Sequence, residues 1–120
     1  MAQLITAPTV MQAAGSPPKT IAEFVGRLAT GTAMVSIAVM QSPSGWSEPG
    51  QQPEFDEYSI VLEGQLVAGT KDGQILAEAG QALYISTREW VRYSTPGPQG
   101  ARYVSVCLPA FSPDTVHRDG

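Results

Sequence analysis

The residues Glu57–Glu63, EYSIVLE, change character at nearly every step. In an extended strand successive side chains point to opposite faces. Glu57, Ser59, Val61 and Glu63 then share one face, and Tyr58, Ile60 and Leu62 the other. The pattern returns further on, where Tyr103, Ser105 and Cys107 alternate with Arg102, Val104, Val106 and Leu108. Turn formers stand between such stretches: Glu63-Gly64, Asp72-Gly73, Ala79-Gly80 and the run TPGPQG at 95–100. Asp-Gly between apolar runs is a strong hairpin signal, so 66–70 and 74–77 are expected to pair around it. Further strands are expected over 33–41, 83–85 and 89–94. Glycine (12) and proline (10) are plentiful. Together these signals describe an all-β sandwich or barrel of short strands.

Composition narrows the function. Charged residues make up 15 %, which argues against a solvated helix bundle. The net charge is −4, from 11 acidic and 7 basic residues with no basic cluster. A groove for nucleic acid or an anionic membrane surface needs such a cluster, so neither partner is expected. A single cysteine excludes an internal disulfide framework, and a single histidine excludes a His-rich metal site within one chain. No apolar run approaches the ~18 residues of a membrane span. The first basic residue is Lys19, and Gln3, Thr6, Pro8, Thr9 and Gln12 interrupt the apolar residues before it. That start lacks the basic-then-apolar order of a signal peptide. It reads as a mature N-terminal arm of a cytoplasmic protein.

The expected organisation is a single domain over 1–120. Residues 1–32 form the arm and a short helix, 33–109 the barrel, and 110–120 a docked C-terminal tail. The helix is placed at TIAEFVGR (20–27), where Ile21, Phe24 and Val25 recur at helical spacing. Ser42–Pro53, with three prolines and two glycines, reads as a long functional loop. Phe111 and Val116 are the residues expected to dock the tail.

Glu57 followed by Gly64, then Gly80-Gln81-Ala82-Leu83-Tyr84-Ile85-Ser86 with the Asp72-Gly73 turn between, resembles the two sequence motifs of the cupin superfamily. The resemblance covers residues 33–109. The run REWVRYSTP and the tail are similar to small single-domain bacterial cupins of uncharacterised role, and distantly to the ethanolamine-utilisation branch. The resemblance implies a cupin-type double-stranded β-helix, a jelly-roll barrel whose lumen holds the site. A homodimer is expected for so small a jelly roll. In metal-binding cupins two histidines precede the glutamate and a third follows in the second motif. Here the first two positions fall on Gln51 and Pro53, or on Gly50 and Gln52, and the third on Val91 or Trp90. Ser86 and Arg88 replace the proline and glycine of the second motif. Of the four ligands only Glu57 remains, so neither a metal nor another cofactor is expected.

Glu57 is the first candidate for chemistry. A lumenal carboxylate is partly desolvated, which raises its pKa and suits general acid–base work; the alternative is a structural hydrogen bond to Gln51 or a tyrosine. Gln51 is preferred over Gln52 as the inward amide, where it would orient a substrate. Trp46 and Glu48 are candidates for the rim, Trp46 to close the mouth and Glu48 as a second carboxylate. Along Trp90, Val91, Arg92 and Tyr93 two registers stand open. One turns Val91 and Tyr93 inward; the other turns Trp90 and Arg92 inward, with Arg92 as an anion anchor. Tyr103 and Cys107 share a face that lines the lumen if Ser105 does. A lone buried cysteine usually packs as a small hydrophobe. His117, held by Asp114 if the tail turns, is a candidate proton shuttle at a barrel mouth. The resulting expectation is a barrel that binds a small polar or carboxylate-bearing molecule and catalyses metal-independent proton transfer of isomerase or lyase type. The alternatives are a non-catalytic ligand-binding or sensing module, and a metal enzyme using Glu57, Glu48, Gln51 and His117.

Overall fold

The computed structural model describes residues 1–13 and 15–120, so Ala14 of the N-terminal arm lies outside the described residues. Nine strands form among them: β1 (Thr9–Ala13), β2 (Lys19–Val25), β3 (Ser36–Ser42), β4 (Trp46–Ser47), β5 (Asp56–Thr70), β6 (Gly73–Glu78), β7 (Ala82–Ile85), β8 (Arg92–Thr95) and β9 (Ala101–Leu108). The described residues contain no helix, and so none long and apolar enough to cross a membrane.

Strand β5 joins the two sheets of the roll. Its first half pairs with β9 on one side and β7 on the other. Its second half pairs with β6 and β8. The first sheet continues from β9 through β3 and β2 to β1, the second from β8 to β4. All of these pairings are antiparallel. The change of sheet happens at Gly64. The register slips between Val61 and Glu63, and Gly64 adopts a positive φ of 75°. A Cβ there would run into the Gly100 carbonyl oxygen, so only glycine fits. The same slip turns Glu63 out to solvent and separates it from the face of Glu57 and Val61.

Two expectations are corrected. The segment 20–27 is not a helix; most of it belongs to β2. Thr20, Ile21, Phe24 and Val25 suit a strand as well as a helix, and the segment finds a ladder on both sides, β1 and β3. Two-sided pairing outweighs a helical period only two turns long. The 42–53 loop is also not wholly irregular, because Trp46–Ser47 pairs with Ser94–Thr95 as β4.

The core lies mainly at the β6–β8 end, where Trp46, Val61, Leu66, Leu83, Ile85 and Val91 pack together. Each such large side chain contributes about 1.5–3 kcal/mol when fully buried. A second cluster of Phe55, Cys107 and Val116, with Phe111 against it, ties down the tail. The tail also hydrogen-bonds along 50–54: the amides of Gln52, Glu54 and Asp119 donate to the carbonyls of His117, Thr115 and Gly50. Between these two clusters the interior is polar.

Candidate functional site

The polar interior is a cavity of about 50 Å³, room for a few waters or a ligand of a handful of atoms. Strand alternation builds it. Lys19, Ile21 and Glu23 enter from β2, Ser36, Ala38 and Met40 from β3, Glu57 and Ser59 from β5, Tyr93 from β8, and Tyr103, Ser105 and Cys107 from β9. Glu48 and Gln51 enter from the segment after β4, and Arg118 from the tail.

Glu57 sits at the centre of a hydrogen-bond set. Tyr93 donates its hydroxyl to one carboxylate oxygen at 3.2 Å, and Ser105 donates to the other at 2.5 Å. Both donors come from neighbouring strands, so the sheet itself fixes the carboxylate. Burial and then the Glu57 charge push the Tyr93 hydroxyl well above the ordinary tyrosine range. It is therefore a donor at any physiological pH.

The carboxyl that its surroundings move is Glu48. It is 4 % exposed, and burial pushes its pKa up from 4.5 to about 7. Lys19 pulls the other way at 3.9 Å, Glu57 adds repulsion, and Arg118 attracts. Lys19 is itself 7 % exposed, with its ammonium 4.4 Å from the centre of the Trp46 ring. Burial alone would lower its pKa, but Tyr103, Glu48 and Glu57 together raise it above the ordinary value. The lumen thus holds a permanent cation, an acid poised near neutrality and a carboxylate clamped by two hydroxyls.

Several sequence candidates meet here. Glu48, Gln51, Glu57, Tyr93, Tyr103 and Cys107 all line the cavity. Gln51 points inward while Gln52 is exposed and donates its amide to the Arg88 carbonyl. Burial, then Glu57, pushes the Cys107 thiol far above its ordinary pKa, so it stands as a neutral packing group rather than a nucleophile. Tyr103 hydrogen-bonds Ser42 at 3.1 Å.

Four candidates are elsewhere. Trp46 does not close a mouth; it is fully buried in the core, where the ladder with Thr95 draws it in, and it stacks under Lys19. Arg92 points away from the lumen, donating to the Glu48 carbonyl and the Ser47 hydroxyl. Trp90 also leaves the lumen and donates its indole N–H to Asp119 at 3.0 Å, pinning the tail. The register is therefore the one with Tyr93 inward, and the lumenal anion anchor assigned to Arg92 is not there. His117 is exposed and pairs with Glu54, not with Asp114, and it does not line the cavity. The tail turns at 113–115 and takes a left-handed φ of 49° at His117, and Arg118 then bridges Gln51 and takes the inward position instead.

The donor set does not fit the metal centre that the fold family implies. Both Glu57 oxygens accept hydrogen bonds from hydroxyls, and the cavity wall carries Gln51 but no imidazole, His117 lying outside it. Among the described residues no three His, Cys, Asp or Glu side chains are grouped to hold an ion.

The sequence reading missed Lys19, Glu23 and Arg118. Reading 20–27 as a helix hid the first two, although Lys19, Ile21 and Glu23 share one face of a strand. Glu23 acts within its own turn, where its carboxylate accepts the amides of Leu28 and Ala29 and closes the chain after β2.

No protein-family model matches the chain. Over 101 residues it is 42 % identical to the endoribonuclease YbeY of Myxococcus xanthus strain DK1622. The match takes in 84 % of this chain but 34 % of that protein, so the chain spans about a third of its curated relative. Solved structures share the fold at low identity. A polyketide cyclase, RemF, of Streptomyces resistomycificus superposes with a TM-score of 0.75 at 19 % identity, over 100 % of this chain and 86 % of its own. A predicted oxalate decarboxylase of Thermotoga maritima gives 0.74 at 17 %, over 91 % and 99 %. EutQ of Clostridium difficile gives 0.64 at 17 %, over 81 % and 72 %. The chain has the cupin fold, as its Glu57-to-Gly64 spacing and its Gly80 segment implied.

Proposed function

We propose that this small cupin binds a small polar or carboxylate-bearing molecule in its barrel and transfers a proton on it without a metal. The observation that carries the reading is the pairing in one cavity of Glu57, fixed by Tyr93 and Ser105, with Glu48, whose pKa is pushed up to about 7. A proton-transfer site needs one group able to accept and one able to donate near the working pH. Glu57 is the base, Glu48 the acid, and Gln51 orients the substrate with its amide. The chemistry is of isomerase or lyase type. Two fold relatives are named as a cyclase and a predicted decarboxylase, which is consistent with an enzyme. Ribonuclease action, in the name of the Myxococcus relative, has less support here, because the chain carries net charge −4 and no basic cluster.

Deuterium exchange tests the reading. The protein is incubated in D2O with a panel of 2-oxo and 3-oxo acids, and C–H signals are followed by NMR. Exchange by the wild type, reduced about 100-fold or more in Glu57→Gln, is expected. Binding of a panel member with no exchange would favour the non-catalytic binding module.

We also propose that a second copy covers the outer face of the first sheet. Tyr58, Ile60, Leu62 and Tyr84 stand there between 42 % and 52 % exposed, with Tyr58 and Tyr84 stacked at 4.8 Å. Val104 and Val106 continue the row across β9. The flanking charges Glu63 and Arg102 oppose each other across the ladder, so this face meets its own copy without a block of like charge. Sedimentation of the wild type as a dimer, and of Ile60→Lys as a monomer, is expected. A monomeric wild type would assign the face to a different partner.

A further inference from the structure

Among the described residues, one buried side-chain nitrogen or oxygen makes no hydrogen bond: Nε of Arg118. A buried polar group without a partner is rare and costs free energy unless something absent from the protein satisfies it. A guanidinium cannot escape that cost by losing its proton. Arg118 lies on the cavity wall beside Gln51, with its guanidinium carbon 6.0 Å from the centre of the Phe111 ring.

The cavity's own acids have other partners. Glu57 accepts from Tyr93 and Ser105, and Glu23 accepts from two backbone amides. Glu48 stands within 3.9 Å of Lys19, and it attracts Arg118 by charge without bonding its Nε. No protein carboxylate bonds the Arg118 Nε. An arginine offers a planar fork that matches a planar carboxylate better than a point charge would.

We propose that Arg118 is the anion anchor of the lumen, and that its guanidinium, whose Nε has no partner among the described residues, holds the carboxylate of a short monocarboxylic acid. The limited cavity volume restricts the acid to a few heavy atoms beyond the carboxylate. Phe55, Phe111 and Cys107 offer its apolar part a wall. Arg118 is thus a specificity-determining residue, and the tail that carries it is part of the site. The assignment rests on the proposed binding of a carboxylate-bearing molecule, but not on any proton transfer.

The test uses the full chain with acetate as the probe. Calorimetry compares the wild type with Arg118→Gln, Arg118→Lys and Lys71→Gln, the last in the exposed β5–β6 turn, with methylammonium and inorganic phosphate as controls. Acetate is expected to bind the wild type and Lys71→Gln. Arg118→Gln should weaken it at least 10-fold, and Arg118→Lys less. Methylammonium should not compete. In parallel the Arg118 Nε–Hε resonance of the wild type should shift on acetate addition, a readout that survives if Arg118→Gln fails to fold. Acetate affinity unchanged in Arg118→Gln, an unmoved Nε–Hε resonance, or phosphate preferred to acetate would each overturn the assignment. Acetate bound through Arg118 but no exchange in D2O would leave the anchor standing and remove the proton-transfer reading.

Discussion

Strand β5 has two faces that reverse the usual order of a barrel. Over Glu57–Leu62 the inward residues are Glu57, Ser59 and Val61, and the outward ones Tyr58, Ile60 and Leu62. The carboxylate and serine are buried while the tyrosine, isoleucine and leucine stand in solvent. Beyond Gly64 the ordinary order returns, with Leu66 and Ala68 inside the apolar core. A chain that buries polar groups and exposes apolar ones in the same stretch forgoes stability on both faces. The inner face is organised around hydrogen bonds and charge, as a binding site is. The outer face carries the exposed apolar row over which we propose a second copy sits.

Gly64 is where the two arrangements meet, and breaking it gives the largest effect. Gly64→Val forces a Cβ into the Gly100 carbonyl at a positive φ. A loss of about 4 kcal/mol, or failure to fold, is expected in urea denaturation. Next comes the buried cation. Lys19→Met leaves Glu48 without its counter-charge, and about 3–4 kcal/mol should be lost at pH 8, where Glu48 is ionised. The loss should be smaller at pH 5, where Glu48 carries its proton.

Glu48 itself gives a sharper comparison, because its effect changes with pH. Its folded pKa of about 7 lies above the unfolded 4.5, so the folded state holds the proton more tightly. The associated stabilisation is complete below about pH 4.5 and is lost as pH rises through 7. Up to about 3 kcal/mol is involved, from 7 − 4.5 = 2.5 pH units. Glu48→Gln should flatten the stability profile between these values and be more stable than the wild type at pH 8. The smallest change in fold stability belongs to the outer face. Ile60→Lys should alter monomer stability by less than about 0.5 kcal/mol while changing the oligomeric state. A large destabilisation of the monomer would contradict the reading of that face as a surface.

The inner and outer sets on β5 and β9 were legible because period-2 alternation holds over Glu57–Leu62 and Arg102–Leu108, although Glu63 leaves its expected face at the slip before Gly64, and the resemblance to the cupin motif pinned Glu57 and Gly64. The Asp72-Gly73 hairpin was legible from its turn chemistry, and it closes with Thr70 opposite Gly73. Lys19 was not, because two turns of helical spacing and a strand share the same apolar positions. The exchange of His117 for Arg118 has a similar cause. The tail has no hydrophobic period, and the residue that ends inward is set by the turn at 113–115, the left-handed His117 and the bridge from Arg118 to Gln51. Trp46 misled because a tryptophan among prolines and glycines resembles a loop residue until a two-residue strand buries it. The pKa of Glu48 depends on burial and on three charged neighbours, Lys19, Glu57 and Arg118, none of them nearby in sequence.

The proposed chemistry requires a lumen dry enough to hold an acid near neutrality beside a fixed carboxylate. Titration of the Glu48 side-chain carboxyl by carbon-13 NMR, assigned with Glu48→Gln, tests it most directly. A midpoint near pH 7 is the result expected. A midpoint near 4.5 would mean that water fills the lumen, and would remove Glu48 as the proton donor.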